Sequence, residues 1–300
     1  MVQAISSWSN IVIPSTAALN IPGRRQGSRS GISDGNEAGA LFVRSDMRVP
    51  AALKLCYILI PATSFSANTM PLTFDDIVDI SLELDPRNFA MRTPAGFSKD
   101  LQFAMEVLKE HDAPGGAGQI VRGVHMRLHA GSHVDAPEHN VRGGSQIHQL
   151  PLTLFIGDAI VADLRDRMPG KPITEIDLER AIGSDIRHGD RVLLRTDHNN
   201  SYDGGSDSWM KASPHLTIGA TKWLIEKGAV VVGYDFYHGN DEPGAPRVFH
   251  NSRTLSEHGI ITMPYLKNLD RITRQRAILI ALPLNIIGAE AAPVRAVVLI

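Results

Sequence analysis

The chain has 300 residues, of which 43% are hydrophobic and 21% are charged, and its formal net charge is −2. These are ordinary values for a globular protein that can bury a substantial core in one or two domains. The small net charge and the lack of a basic stretch disfavour a nucleic-acid partner. The single cysteine, Cys56, cannot form an internal disulfide, and its apolar neighbours favour a buried, unreactive thiol.

Residues 1–70 are predicted to form a weakly ordered extension, because residues 1–46 are rich in Ser, Gly and Asn and show poor periodicity. From Met47 onward, basic, apolar and small residues follow one another, and this order would resemble a secretory signal if translation began there. The apolar run over 55–61 is too short to span a bilayer. A misassigned start or a partly buried extension explains the pattern better, so we expect a cytoplasmic protein without a membrane partner.

Residues 71–300 are expected to form one mixed α/β domain, because short apolar runs alternate with amphipathic segments. Thr217 is a suitable N-cap for the last predicted helix, which would end near Gly228. The predicted strands cover 77–84, 158–163, 191–195, 230–234 and 277–281. The predicted helices cover 100–111, 175–181 and 217–227.

The segment 128–139 carries most of the chemical information, because it contains His129, His133, Asp135 and His139. Imidazole and carboxylate together suit zinc, manganese or ferrous iron. Three protein ligands leave coordination positions open for water and substrate, which is typical of a catalytic site. The alternative is a polar loop with solvated histidines, but four candidate ligands on one short turn favour a divalent metal.

The residues between these candidates predict an extended segment, since Gly131 and Pro137 both disfavour a continuous helix. Side chains alternate along an extended chain, so His133 and Asp135 would project to the same side. His129 is predicted to end the preceding strand. Gly131 could then supply the unusual backbone angles that fold the chain back.

The string His129-x-Gly131-Ser132-His133-x-Asp135-Ala136-Pro137-x-His139 resembles the signature of the metal-dependent cyclase family, which includes bacterial kynurenine formamidase and isatin hydrolase. The family pattern normally has Thr at the position of Ser132, and both residues carry a hydroxyl. The resemblance runs from about Phe74 to Ile300. It includes the segments 78–81, 233–235 and 281–296.

The resemblance implies a swivelling β/β/α fold in which His129, His133 and Asp135 bind a divalent ion, Zn²⁺ or Mn²⁺. It also implies that His139 is the catalytic acid and base. The implied reaction is arylformamidase-like hydrolysis of an amide or ester carbonyl by metal-activated water, with an arylformamide, a cyclic amide or a lactone as substrate. The family further implies a homodimer or a homotetramer.

The chain departs from the family pattern at two positions that normally complete the site or hold a second metal. Ser252 stands where the family has a further His, and Pro264 stands where it has a Glu. His250 lies two residues before Ser252 and could substitute only if the loop shifted. We therefore expect one ion per chain.

Two other functions fit parts of the pattern. Two histidines and an aspartate also suit a non-haem iron oxygenase, although the third ligand of such enzymes usually comes from far along the chain. A metal-binding protein without turnover would explain Pro264. Elsewhere, the polar segment 196–200 is better interpreted as a turn, and Trp209 as a packing residue.

Overall fold

The computed structural model describes residues 74–86 and 103–300, except for residues 113, 116–117, 168–169, 204–205, 238, 240 and 247–248. The predicted extension over 1–70 and its signal-like pattern lie outside the described residues. In the part of the chain that is described, no helix is long and apolar enough to cross a membrane.

A nine-stranded mixed sheet forms the centre of the described structure, in the order β1-β13-β11-β5-β7-β9-β10-β4-β12. The strands are β1 (Ile77–Asp79), β2 (Ala104–Lys109), β3 (Val121–His125), β4 (His133–Asp135), β5 (Ile156–Asp163), β6 (Pro172–Ile173), β7 (Arg191–Arg195), β8 (His215–Leu216), β9 (Val231–Tyr234), β10 (Ile261–Met263), β11 (Arg276–Ile280), β12 (Ala291–Pro293) and β13 (Val297–Leu299). The helices are α1 (Glu175–Ile182), α2 (Asp207–Lys211), α3 (Ile218–Glu226) and α4 (His250–Glu257). The pairs β5–β7, β7–β9 and β9–β10 are parallel. The remaining pairs of the large sheet are antiparallel.

The large sheet is buried on both faces, because successive residues of its central strands enter different hydrophobic clusters. In β7, Leu193 belongs to one cluster, whereas Val192 and Leu194 belong to the cluster that also contains the buried residues of α1 and α3. Strands buried on both faces have continuous apolar sequences, which explains why the run over 191–195 was predictable. In β4, Val134 is fully buried in the first cluster, so the alternation turns His133 and Asp135 to the other side.

Most of the predicted elements are confirmed. The five predicted strands correspond to β1, β5, β7, β9 and β11, although β1 is shorter than predicted and is followed by an isolated bridge at Ser81. The predicted helices over 175–181 and 217–227 correspond to α1 and α3. The hydroxyl of Thr217 accepts a hydrogen bond from the backbone N–H of Ala220, as expected of an N-cap.

The helix predicted over 100–111 is wrong, because β2 occupies this region and pairs antiparallel with β3. Gly115 and Gly118 between the two strands have φ values of 73° and 66°, a left-handed backbone that suits a chain reversal. The hydrogen bonds of the hairpin therefore override a weak helical pattern. The predicted strand end at His129 is also wrong: β3 ends at His125, and His129 lies in a turn where the Ala130 N–H donates to the Arg127 carbonyl over 3.1 Å.

Candidate functional site

The turn between β3 and β4 brings the candidate ligands of the 128–139 segment together. Gly131 has a φ of 60°, and a Cβ atom added there would lie 2.7 Å from Cδ2 of Leu84, so conformation and space both favour glycine. The Ser132 hydroxyl donates to the Tyr265 carbonyl over 2.7 Å and accepts from the Leu82 N–H over 2.8 Å. These bonds fix the entrance to β4, which carries His133 and Asp135.

Two of the histidines selected from the sequence, His129 and His133, converge on Oδ1 of Asp135. Nδ1 of His129 lies 2.9 Å from this oxygen, and Nε2 of His133 lies 3.2 Å from it. His139 follows in a short 3₁₀ turn over Pro137–His139, and its ring centroid is 4.3 Å from that of His129. One ligand atom each from His129, Asp135 and His139 lie within 4.8 Å of one another.

The hydrogen bonds around the two inner histidines show which ring nitrogens are available to a cation. Nδ1 of His133 donates to the Gly131 carbonyl over 2.7 Å, since a carbonyl can only accept. Nε2 of His129 donates in the same way to Oε1 of Glu290, which lies 3.2 Å away. In the neutral rings, the lone pairs of His133 Nε2 and His129 Nδ1 therefore both face Asp135. Nε2 of His133 and Oδ1 of Asp135 are buried without a hydrogen-bond partner. A divalent cation fits this donor set, because it would bind three electron pairs that otherwise face one another.

The charges of the site are strongly coupled. Burial favours the neutral form of Asp135, but the neighbouring His133 and His129 outweigh it and hold the pKa of the carboxyl well below its usual range. Burial likewise opposes protonation of His129, yet Asp135 and then Glu290 raise its pKa. The carboxylate is therefore ionised at neutral pH, as a metal ligand must be.

His139 differs from the other two histidines because it is exposed to solvent on one side. Partial desolvation lowers its pKa; Asp135 opposes this effect, and His129 and His133 reinforce it. A neutral imidazole at the edge of the site can accept a proton and release it again. Its position is compatible with a proton-transfer role and also with ligation.

Two contacts of the site were missed by the sequence analysis. Glu290 precedes β12, which pairs with β4, and so it reaches the ring of His129. The Thr262 hydroxyl, on β10, donates to Oδ2 of Asp135 over 2.9 Å. Glu290 lies inside the family-like segment 281–296, but no spacing rule singles it out, and Thr262 gives no sequence signal.

The residues at the departures from the family pattern add no histidine or carboxylate to the ligand group. Among the described residues, the group of candidate ligand atoms within 4.8 Å of one another contains His129, Asp135 and His139, and it includes neither His133 nor His250. Ser252 is buried in α4. Pro264 follows β10 and offers no donor atom.

An aromatic cluster adjoins the site. The Tyr265 ring lies 5.9 Å from that of His133, and the Trp209 ring lies 6.2 Å from Tyr265 at an interplanar angle of 18°. His198 stacks on Trp209 with centroids 4.7 Å apart. The polar segment 196–200 is a turn, as expected, and its 3₁₀ helix His198–Ser201 positions His198.

Comparison with known proteins gives concordant similarities. The family model described as "Putative cyclase" matches residues 78–239. Kynurenine formamidase from Bacillus cereus is 29% identical over 225 residues, covering 74% of this chain and 96% of that protein, and the enzyme from Bordetella petrii is 32% identical over 184 residues, covering 58% and 78%.

Solved structures agree with the sequence comparisons. Isatin hydrolase A from Labrenzia aggregata, bound to benzyl benzoate, is 25% identical with a TM-score of 0.65, covering 75% of this chain and 93% of that one. Isatin hydrolase A from Ralstonia solanacearum has a TM-score of 0.64 at 24% identity and shows the shared fold. These likenesses confirm the expected swivelling β/β/α fold.

Proposed function

Because the chain belongs to the cyclase family, we propose that it is a metal-dependent hydrolase that cleaves an amide or ester carbonyl. The observation that carries the proposal is the convergence of two histidine nitrogens on Oδ1 of Asp135, at 2.9 and 3.2 Å. His129, His133 and Asp135 would hold one Zn²⁺ or Mn²⁺ ion per chain. When bound, such an ion supplies Lewis acidity, which polarises a carbonyl and makes water acidic enough to attack near neutral pH.

His139 is the proposed proton carrier. Its lowered pKa keeps the imidazole neutral at pH 7, so a ring nitrogen can take a proton from the attacking water. In hydrolysis of an amide, the water oxygen bonds to the carbonyl carbon, the C–N bond breaks, and the leaving nitrogen receives the proton from His139. The products are a carboxylic acid and an amine.

The proposed substrate is an arylformamide, a cyclic amide or a lactone. Relatives named kynurenine formamidase and isatin hydrolase support the amide classes.

The deciding experiment combines metal analysis of the purified protein with a screen of formamides, lactams and lactones. We expect hydrolysis that requires a divalent ion and consumes no oxygen, and Asp135→Ala should abolish it. His258→Ala is the matched control, because His258 is an exposed histidine at the end of α4. Oxygen uptake with bound iron would indicate a non-haem oxygenase instead, and metal binding without turnover on any class would indicate a binding protein.

We also propose a homodimer or a homotetramer, as the family resemblance implies. The hairpin of β2 and β3 supports an assembly, because it leaves Met105, Val107, Leu108 and Val124 exposed, and an isolated two-stranded hairpin is only marginally stable in water. Light scattering at micromolar concentration tests this, and a monomeric mass would contradict it.

A further inference from the structure

The second carboxylate oxygen of Asp135 has a partner of its own. While Oδ1 faces the two histidines, Oδ2 accepts a 2.9 Å hydrogen bond from the hydroxyl of Thr262. The two residues are direct partners in the pairing of β10 with β4, so their side chains lie on the same side of the sheet. Both are buried, with 2% and 1% of their surface exposed.

Two further hydroxyl groups lie near the contact between Thr262 and Asp135. Burial raises the pKa of Tyr234, and the hydroxyls of Thr262 and Ser252 oppose this shift. Thr262 has a single hydroxyl hydrogen and donates it to Asp135, since a carboxylate can only accept. Oδ2 of Asp135 is therefore occupied within the fold.

The fold holds these groups rigidly. Tyr234, Thr262 and Asp135 belong to the adjacent strands β9, β10 and β4, and Ser252 comes from the helix α4 that packs against β10. Tyr234 and Ser252 are buried like the other two residues. The low dielectric of the interior strengthens the hydrogen bond from Thr262 to Asp135.

We propose that Thr262 is a positioning residue that reserves Oδ2 of Asp135 for its own hydroxyl and presents Oδ1 alone to the catalytic ion. The inference rests on the proposed metal site. It also limits the site to one ion, since a second ion bridged through both oxygens of this carboxylate would need Oδ2. The Thr262 hydroxyl thus sets both the affinity and the coordination of the site.

The test compares Thr262→Val with Thr262→Ser in the full chain, titrated with Mn²⁺ against a competing chelator. Valine has the shape of threonine without its hydroxyl, so it should weaken Mn²⁺ binding about 10–100-fold, the usual cost of losing a group that orients a metal ligand. Serine should restore the affinity. Thr221→Val is the matched control and should bind like the wild type, because Thr221 is equally buried, at 1% exposure, and lies in α3.

The Co²⁺-loaded proteins provide a readout that general loss of stability would not move. Freeing Oδ2 allows the carboxylate to bind through both oxygens, so the visible absorption of Co²⁺ should change in Thr262→Val and return to the wild-type spectrum in Thr262→Ser.

A folded Thr262→Val protein with wild-type Mn²⁺ affinity and an unchanged Co²⁺ spectrum would overturn the proposal. If this variant does not fold, Thr262→Ala decides, because it also removes the hydroxyl and leaves a smaller side chain: weaker binding supports the proposal, and unchanged binding overturns it. A wild-type protein that binds neither Mn²⁺ nor Co²⁺ would instead disprove the metal site itself, so the two failures are distinguishable.

Discussion

Nε2 of His133 lies 3.2 Å from Oδ1 of Asp135, and both atoms are buried without a hydrogen-bond partner. His133 Nδ1 already donates to the Gly131 carbonyl, so in the neutral ring Nε2 directs a lone pair at a carboxylate oxygen. Buried polar groups without partners are costly in a folded protein. This arrangement therefore destabilises the metal-free protein, and a bound cation would remove the destabilisation.

Replacing any one ligand should remove the metal and the activity together. His129→Ala, His133→Ala and Asp135→Ala each delete one of the three electron pairs that face the same point. Metal content measured by mass spectrometry after gel filtration, together with hydrolysis rates, checks this expectation, with His258→Ala as the control. Full metal occupancy in all three variants would contradict the assigned ligands, and two ions in the wild type would contradict a single-ion site.

His139→Ala should keep its metal and lose turnover. His139 is exposed on one side, whereas His133 is completely buried, and positioned acid–base groups typically contribute about 10²–10⁴ in rate. Metal content and kcat measured on the same sample separate the two roles. If metal and activity fall in equal measure, His139 is a ligand, which its position within 4.8 Å of the partner atoms also permits.

The site residues that were predicted from the sequence lie close together along the chain, whereas the site residues that were missed lie far from them in sequence. His129 to His139 lie on one short segment, so their spacing and the intervening Gly131 could be interpreted directly. Glu290 reaches His129 from 161 residues away, and Thr262 reaches Asp135 from 127 residues away. Only the pairing of β4 with β12 and β10 brings these partners close. Strand β2 was missed for a different reason: its ladder depends on pairing with β3, which lies in the strand that was predicted to end at His129.

Glu290→Ala should weaken metal binding about 10–100-fold, because a carboxylate that accepts from the second nitrogen of a ligating histidine fixes its tautomer and orientation. Glu290 Oε1 lies 3.2 Å from Nε2 of His129, whose Nδ1 faces Asp135. Glu290→Gln keeps a hydrogen-bond acceptor without the negative charge, so its metal affinity should lie between those of Glu290→Ala and the wild type. Chelator competition measures the affinities, and Glu226→Ala, at the end of α3, is the control. Equal affinities of Glu290→Ala and the wild type would rule out this role.

Asp235 should make the stability of the metal-free protein fall as the pH rises toward neutrality. Burial raises the pKa of this carboxyl from 3.8 to about 7, although hydrogen bonds from Thr196 and Asp197 oppose the shift. A group whose pKa is higher in the folded state stabilises the protein fully below its unfolded pKa, and this contribution is lost as the pH rises through the folded pKa. The window therefore runs from about pH 4 to about pH 7.

Asp235→Asn removes the titration and serves as the reference, because the other ionisable groups are common to both proteins. The free energy of unfolding in urea, measured at intervals from pH 5 to pH 8, should show the wild type losing stability relative to Asp235→Asn up to about pH 7 and remaining level above it. If the free energy of unfolding of the wild type minus that of Asp235→Asn stays constant or increases with pH, the carboxyl is already ionised at pH 5. Its charge would then be stabilised by the hydrogen bonds from Thr196 and Asp197.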